Sequence, residues 1–141
     1  MIILSIDLGE VKTGIACCDK NETIAFPITT IIETNNKNLL QKIIQQIIKQ
    51  KAQMIVIGNP VNMNGSCSLR SQKCKKFANK LKNATNLPVV LWDERQTTLL
   101  AQRIMIHSCT KKNKKKKLVD QIAATIILEN YLKFKQNKHL S

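Results

Sequence analysis

Hydrophobic positions divide the start of the chain into short apolar runs. Residues 2–8 form a mostly apolar run rich in β-branched side chains and followed by Gly9, which predicts a first strand. Gly14–Cys18 and Thr23–Ile32 predict two more strands, and the polar segment Asp19–Glu22 predicts the turn between them. The chain therefore opens with a predicted three-strand meander.

The periodicity then changes from that of strands to that of helices. Apolar residues recur in pairs every four positions between Leu39 and Ile48, which predicts an amphipathic helix. Met54–Ile57 and Pro88–Trp92 predict two short buried strands, and Trp92 is predicted to be a core residue. Further helices are predicted at Ser68–Asn83, Thr98–Ile106 and Leu118–Phe134. This order predicts an α/β fold in which helices pack on a mixed sheet.

Length and cysteine content narrow the class of protein. The 141 residues suit a single domain, predicted at 1–136, with a polar tail at 137–141. No run approaches the ~20 apolar residues of a membrane span, and the apolar start carries no basic leader. The five cysteines are odd in number and lack zinc-site spacing, so they are predicted to be reduced thiols. We therefore expect a cytoplasmic protein.

The charge balance indicates a polyanionic partner. Lys and Arg number 23 against 9 acids, which gives a net charge of +14. Aromatic residues make up only 4% of the chain, so contact with a nucleic acid is expected through its backbone and shape. Each candidate contact residue can also be an ordinary surface cation. The candidates are Lys12, Arg70, Arg95, Lys111, Lys112, Lys114 and Lys115.

The scarce acids are placed where they can form a site. Asp7 lies in an apolar strand, Asp93 and Glu94 close the Pro88–Trp92 strand, and Asp120 lies in the first turn of the last predicted helix. Each has a local explanation, as a turn residue, a helix cap or a partner of the helix dipole. Parallel strands present their carboxyl ends at one edge of a sheet. If the first strand is parallel to the later two, Asp7 and Glu94 converge there, and the last helix could add Asp120.

A cluster of carboxylates suits a hard divalent cation. Three or four such groups repel one another unless a cation lies between them, and oxygen ligands of this kind favour Mg²⁺ or Mn²⁺. Two ions ~3.5–4 Å apart activate water and stabilise the leaving oxygen in phosphodiester cleavage. Acids concentrated in one place on a basic protein therefore predict a metal-dependent nuclease.

Several stretches in combination resemble a known family. They are Ile6–Gly9 with Gly14–Ala16, Ile55–Pro60, Met63–Ser66, Lys76–Ala78, Trp92–Thr98 with Ala101, and Asp120–Ala124 with Ile127–Leu128. On these residues the chain resembles, up to about residue 134, the YqgF or RuvX family of Holliday-junction-resolvase-like and pre-16S rRNA nucleases. The chain departs from the family pattern at Glu10–Thr13 and at Asn59.

The resemblance carries expectations about fold, activity and site. It implies a ribonuclease-H-like fold and a metal-dependent nuclease that matures the 5′ end of 16S rRNA in bacteria. It also implies that Asp7, Glu94 and Asp120 are the catalytic acids and metal ligands, with Asp93 close by.

Two other functions remain open from the sequence. A resolvase of branched DNA needs the same carboxylates and the same basic surface, and it would normally act as a homodimer rather than a monomer. A non-catalytic RNA-binding ribosome-assembly factor would use the basic surface without needing Asp7, Glu94 and Asp120 together.

Overall fold

The fold is described by a computed structural model for residues 1–60, 69–93 and 116–140. Five strands and three helices lie in these ranges: β1 (Ile3–Asp7), β2 (Lys12–Cys18), β3 (Ala25–Ile32), α1 (Asn36–Gln50), β4 (Met54–Asn59), α2 (Leu69–Thr85), β5 (Val89–Asp93) and α3 (Lys116–Leu140). The helix predicted at Thr98–Ile106 lies outside the described residues.

The strands form one mixed sheet in the order β3-β2-β1-β4-β5. β2 is antiparallel to both β1 and β3, as the predicted meander requires. β4 is parallel to β1, and β5 is parallel to β4, because helical crossovers bring the chain back to start each new strand at the same edge. The carboxyl ends of β1, β4 and β5 therefore share one edge.

One face of the sheet is covered by α1 and α2. The Asn35 side chain caps α1 by accepting from the backbone N–H of Asn38 at 3.0 Å. The apolar stripe of α1 is buried at Leu39, Ile43 and Ile47, as its spacing predicted. This layer forms the larger core. It includes Leu4, Ile6, Ile15, Ile55, Ile57, Phe77 and Leu81.

The other face is covered by α3, which packs against β1, β2 and β3. Trp92 is buried in this second core, as predicted, with Ile127 and Leu128. Its ring lies 5.7 Å from that of Tyr131 and 5.2 Å from that of Phe134, measured between centroids.

The last helix extends beyond the end predicted near Phe134 and reaches Leu140. Tertiary contacts hold the helix at and just past the predicted end, because Phe134 packs on Trp92 and Lys135 Nζ lies 2.7 Å from Glu22 Oε1. The Lys135 ammonium also lowers the pKa of Glu22. These long-range contacts are invisible in the local sequence pattern.

Cys17, Cys18 and Cys74 are free thiols in the described part of the chain, and all three are buried. Burial raises the pKa of Cys17 to about 11, which makes its thiolate scarce at neutral pH. No helix among the described residues has the length and apolar character to span a membrane.

Candidate functional site

Asp7 is the last residue of β1, at the edge where the parallel strands end. Only 6% of the Asp7 surface is exposed to solvent. Alternation along β1 places Leu4 and Ile6 in the core under α1 and α2, and Ser5 and Asp7 on the face of α3. The Ser5 hydroxyl confirms that face, because it donates to the backbone carbonyl of Ala124 in α3 at 2.7 Å.

Gly14 brings α3 against the sheet beside Asp7. It is the ladder partner of Asp7 across the β1–β2 pair. A Cβ atom added to Gly14 would overlap the backbone carbonyl of Asp120, so α3 rests on the bare backbone of β2. Asp120 is half-buried there. The structure thus brings the two predicted acids Asp7 and Asp120 together across a single glycine.

Small side chains explain the close approach of α3. Ala123 and Ala124, one helical turn beyond Asp120, are 1% and 0% exposed. Residues three and four apart share a helix face, so these alanines face the sheet below Asp120. The spacing of Asp120, Ala123 and Ala124 therefore has a physical role: the alanines allow close packing, and the packing positions the acid.

Asp93 lies farther from Asp7. It ends β5 as the ladder partner of Asn59 in β4. Two strand spacings separate β5 from β1, which is about 10 Å. Leu91 packs in the core under α1 and α2, whereas Trp92 faces α3. Alternation therefore places the Asp93 side chain on the face opposite that of Asp7.

Arg70 and Lys12 border Asp7. The Arg70 guanidinium Nη2 donates to the carbonyl of Leu8 at 3.1 Å and lies 4.0 Å from Asp7 Oδ1. Lys12 begins β2, and alternation with Gly14 places it on the face that Asp7 occupies. Two of the predicted nucleic-acid contacts are thus next to the predicted acid.

The remaining predicted site residues lie outside the described residues. They are Glu94, Arg95, Lys111, Lys112, Lys114 and Lys115.

Three residues that hold the helices and strands of the site in place were not predicted to do so from the sequence. Gly14 was recognised as the start of a strand and as part of a family motif but not as a packing position, although a glycine inside an apolar strand signals close approach of another backbone. Ser5 fixes α3 on β1. Ser71 at the start of α2 donates to Asn59 Oδ1 at 2.8 Å, and both residues are buried. No local pattern predicts these last two contacts.

The donor chemistry fits a hard divalent cation. Asp7 faces α3, and the backbone of Asp120 lies against Gly14 beside it, so two residues with the carboxylate ligands that Mg²⁺ and Mn²⁺ favour are neighbours. Within the described part of the chain, no three His, Cys, Asp or Glu side chains form a group that could hold a metal ion. The third predicted ligand, Glu94, is not in that part.

Comparison with known proteins identifies close relatives. Residues 1–134 match the family described as "RuvX: Holliday junction resolvase". A protein of Thermoanaerobacter pseudethanolicus named "Putative pre-16S rRNA nuclease" is 40% identical over 139 residues, covering 98% of this chain and 100% of that protein. A protein of the same name from Caldanaerobacter subterraneus is 41% identical over 141 residues, covering 97% of this chain and 99% of that protein.

Solved structures show the same fold at low sequence identity. RuvC of T. thermophilus, solved with a Holliday junction substrate, superposes with a TM-score of 0.63 at 9% identity, covering 96% of each chain. The fowlpox virus resolvase in complex with Holliday junction DNA gives a TM-score of 0.55 at 18% identity, covering 94% of this chain and 97% of that one. The predicted ribonuclease-H-like fold is confirmed.

Proposed function

Because the chain belongs to the RuvX family, we propose that it is a metal-dependent nuclease that processes the 5′ end of pre-16S rRNA during ribosome biogenesis in the cytoplasm. The observation that carries this proposal is the placement of Asp7 and Asp120 on either side of Gly14, at the edge where the parallel strands end. The whole protein has a net charge of +14, which suits a negatively charged phosphodiester polymer as substrate.

Asp7, Glu94 and Asp120 are the proposed catalytic acids and metal ligands. Burial of Asp7 at 6% exposure supports a role for its carboxylate with a cation, since buried charges are paired or coordinate metals. Glu94 joins the proposal on the sequence alone, as the residue directly after Asp93. Because the Asp93 side chain is placed on the opposite face from Asp7, Glu94 is the better candidate ligand, and Asp93 is left with a supporting role nearby.

Nucleases of this fold generally depend on divalent metal, and we propose Mg²⁺ or Mn²⁺ here, bound as two ions. Such ions supply an activated water and stabilise the leaving oxygen. The chain itself contributes the carboxylates that hold them and the cations that orient the substrate. Arg70 and Lys12 lie where they would bind phosphates next to the cleaved bond. Arg95, Lys111, Lys112, Lys114 and Lys115 are proposed as further backbone contacts.

The test is cleavage of a 5′-extended 16S rRNA precursor by the purified protein, with Mg²⁺ or Mn²⁺ and with EDTA. We expect metal-dependent trimming that Asp7→Asn, Asp120→Asn and Glu94→Gln each abolish. These near-isosteric changes remove a charged ligand oxygen, so folding and RNA binding should persist. Glu129→Gln is the matched control, because Glu129 is exposed on the same helix as Asp120.

Two results would count against the proposal. Cleavage that survives one of the three substitutions removes that residue from the site. RNA binding without cleavage by the unaltered protein favours the non-catalytic ribosome-assembly factor.

A resolvase of branched DNA is the second candidate, because the matching family is described as a Holliday junction resolvase. Such an enzyme cuts two strands symmetrically and would be a homodimer, whereas trimming of an RNA end needs only a monomer. Cleavage of a synthetic four-way junction at rates above those for the rRNA precursor, by a protein that sediments as a dimer, would favour it.

A further inference from the structure

We infer that one flank of α2 is a binding surface for the backbone of the nucleic-acid strand that leaves the cleavage site. This surface, the lysine track, consists of Arg70, Lys73, Lys76 and Lys80. The inference rests on the proposed nuclease function, and it extends the predicted contact at Arg70 to three lysines that were not predicted as contacts from the sequence.

The four cations lie on a single flank of the helix. Their spacing of three, three and four residues repeats the helical turn, so they follow one another along the axis. The track is about 15 Å long, from ten residues at ~1.5 Å each. The buried side of the same helix, with Cys74, Phe77 and Leu81, faces the sheet instead.

The lysine track begins at the proposed site. Arg70 donates to the carbonyl of Leu8, the residue after Asp7. Lys73 lines a groove with Leu8, Gly9 and Glu10 beside that carbonyl.

Lys73 also lines a second groove, of about 290 Å³, with Lys76 and Lys80. The two grooves therefore join at Lys73. A continuous basic path leads from Asp7 along the helix.

Arg70 lies 4.0 Å from Asp7, but the three lysines of the track have no acidic partner among the described residues. Neither α1 nor α2 contains an Asp or Glu. Among the described residues, Lys73, Lys76 and Lys80 make no ion pair, whereas Glu33 pairs with Lys42, and Glu22 with Lys135. Like charges four residues apart, such as Lys76 and Lys80, repel each other on a helix. Such an arrangement costs folding stability and becomes favourable only when an anion lies along it.

The form of the anion follows from the geometry. A strand in a helical duplex presents one phosphate per ~3.4 Å of axis, so a track of about 15 Å spans about four phosphates for four cations. The amides of Asn36 and Gln72 line the groove beside the lysines and can donate to phosphate oxygens. A polymer with evenly spaced phosphates, continuous with the cleaved bond, therefore fits this surface.

The test is binding of the 5′-extended 16S rRNA precursor in EDTA, measured by fluorescence anisotropy over a range of salt concentrations. We expect Lys76→Gln/Lys80→Gln to weaken binding roughly tenfold at moderate salt. We also expect the negative slope of log K against log salt to become shallower by about 1.4, or ~0.7 per lost phosphate contact on a single strand. With metal present, KM should rise while kcat stays unchanged, because the track lies away from the reacting bond.

The matched control is Lys20→Gln/Lys82→Gln, which removes two exposed charges elsewhere, one of them on the opposite flank of α2. If both double variants lose the same affinity and the same salt dependence, the inference is wrong, because binding would then depend only on the overall charge of the protein. Circular dichroism confirms folding of each variant. Since binding is measured without cleavage, loss of the track and failure of the nuclease proposal give separate results.

Discussion

Asp19 shows how one side chain holds the β2–β3 turn. Its carboxylate accepts from the Thr23 hydroxyl at 2.6 Å and from the backbone N–H groups of Thr23 and Ile24 at 2.7 and 2.9 Å. The hydroxyl of Thr23 is the main cause that lowers the pKa of Asp19 to about 2. The turn is therefore stabilised by a carboxylate in its charged form.

A pH-dependent stability follows from this pKa. The unfolded Asp has a pKa of ~3.9, so the stabilisation is fully present above about pH 4 to 5 and is lost as the pH falls toward about 2. In urea denaturation, we expect the difference in unfolding midpoint between the unaltered protein and Asp19→Asn to be constant near neutral pH and to shrink over that acid range. Thr23→Val should reproduce part of the effect. A difference that does not vary with pH would show that the charge is not involved.

Asp7 could be identified as a site candidate from the sequence, whereas the choice between Asp93 and Glu94 as the acid that joins it could not be made. A carboxylate in an apolar strand stands out in a sequence, so Asp7 was identified as a site candidate. The sequence did not separate Asp93 from Glu94 as the ligand. That distinction depends on which face of β5 each side chain occupies, and the burial of Leu91 and Trp92 on opposite faces is a property of the packed sheet.

Helices and strands with a regular spacing of apolar residues were predicted well from the sequence, whereas a strand end without such spacing was not. The paired apolar residues of α1 gave the helix, and the alternation of helices and strands gave the parallel half of the sheet. The start of β2 at Lys12 was missed, because a polar residue begins that strand. Pairing with Ile32 of β3 extends it, and such a long-range contact has no local signal.

The packing of α3 on β2 leads to a prediction for Gly14→Ala. The added methyl group would overlap the carbonyl of Asp120 and push the helix away from the sheet. Overpacking of this kind costs about 1–3 kcal/mol of unfolding free energy. We also expect kcat to fall at temperatures where the variant is fully folded, because Asp120 moves relative to Asp7. Urea denaturation and single-turnover cleavage measure the two effects separately.

Gly9→Ala provides the comparison. Its methyl group would overlap the carbonyl of Lys12 within the β1–β2 turn, and its three nearest atoms all belong to Lys12 rather than to α3. It should lower stability with a smaller loss of kcat. If both variants lose kcat in proportion to stability alone, the position of α3 does not control the chemistry.

The whole molecule carries a charge that opposes its own folding. A net charge of +14 on one domain produces self-repulsion in the compact state. The surface pairs of Glu22 with Lys135 and Glu33 with Lys42 act in the opposite direction, but ion pairs near solvent contribute little to stability. Repulsion should therefore dominate the response to salt.

We expect the melting temperature to rise by a few degrees as NaCl increases from low to moderate concentration, since screening relieves repulsion. Lys76→Gln/Lys80→Gln should melt at the same or a slightly higher temperature in low salt, and it should gain less from added salt. Differential scanning calorimetry measures both. A melting temperature that falls with salt would mean that ion pairs outweigh the net charge.

The contact between Gly14 and Asp120 joins segments that are synthesised at different times. The two acids that it brings together lie near opposite ends of the chain. A ribosome synthesises one end well before the other, at roughly 5–20 residues per second. A nascent chain that has completed the first strands but not the last helix contains Asp7 but not Asp120, so the proposed site is incomplete. We therefore expect the proposed nuclease activity only after α3 has been synthesised and has packed on β2.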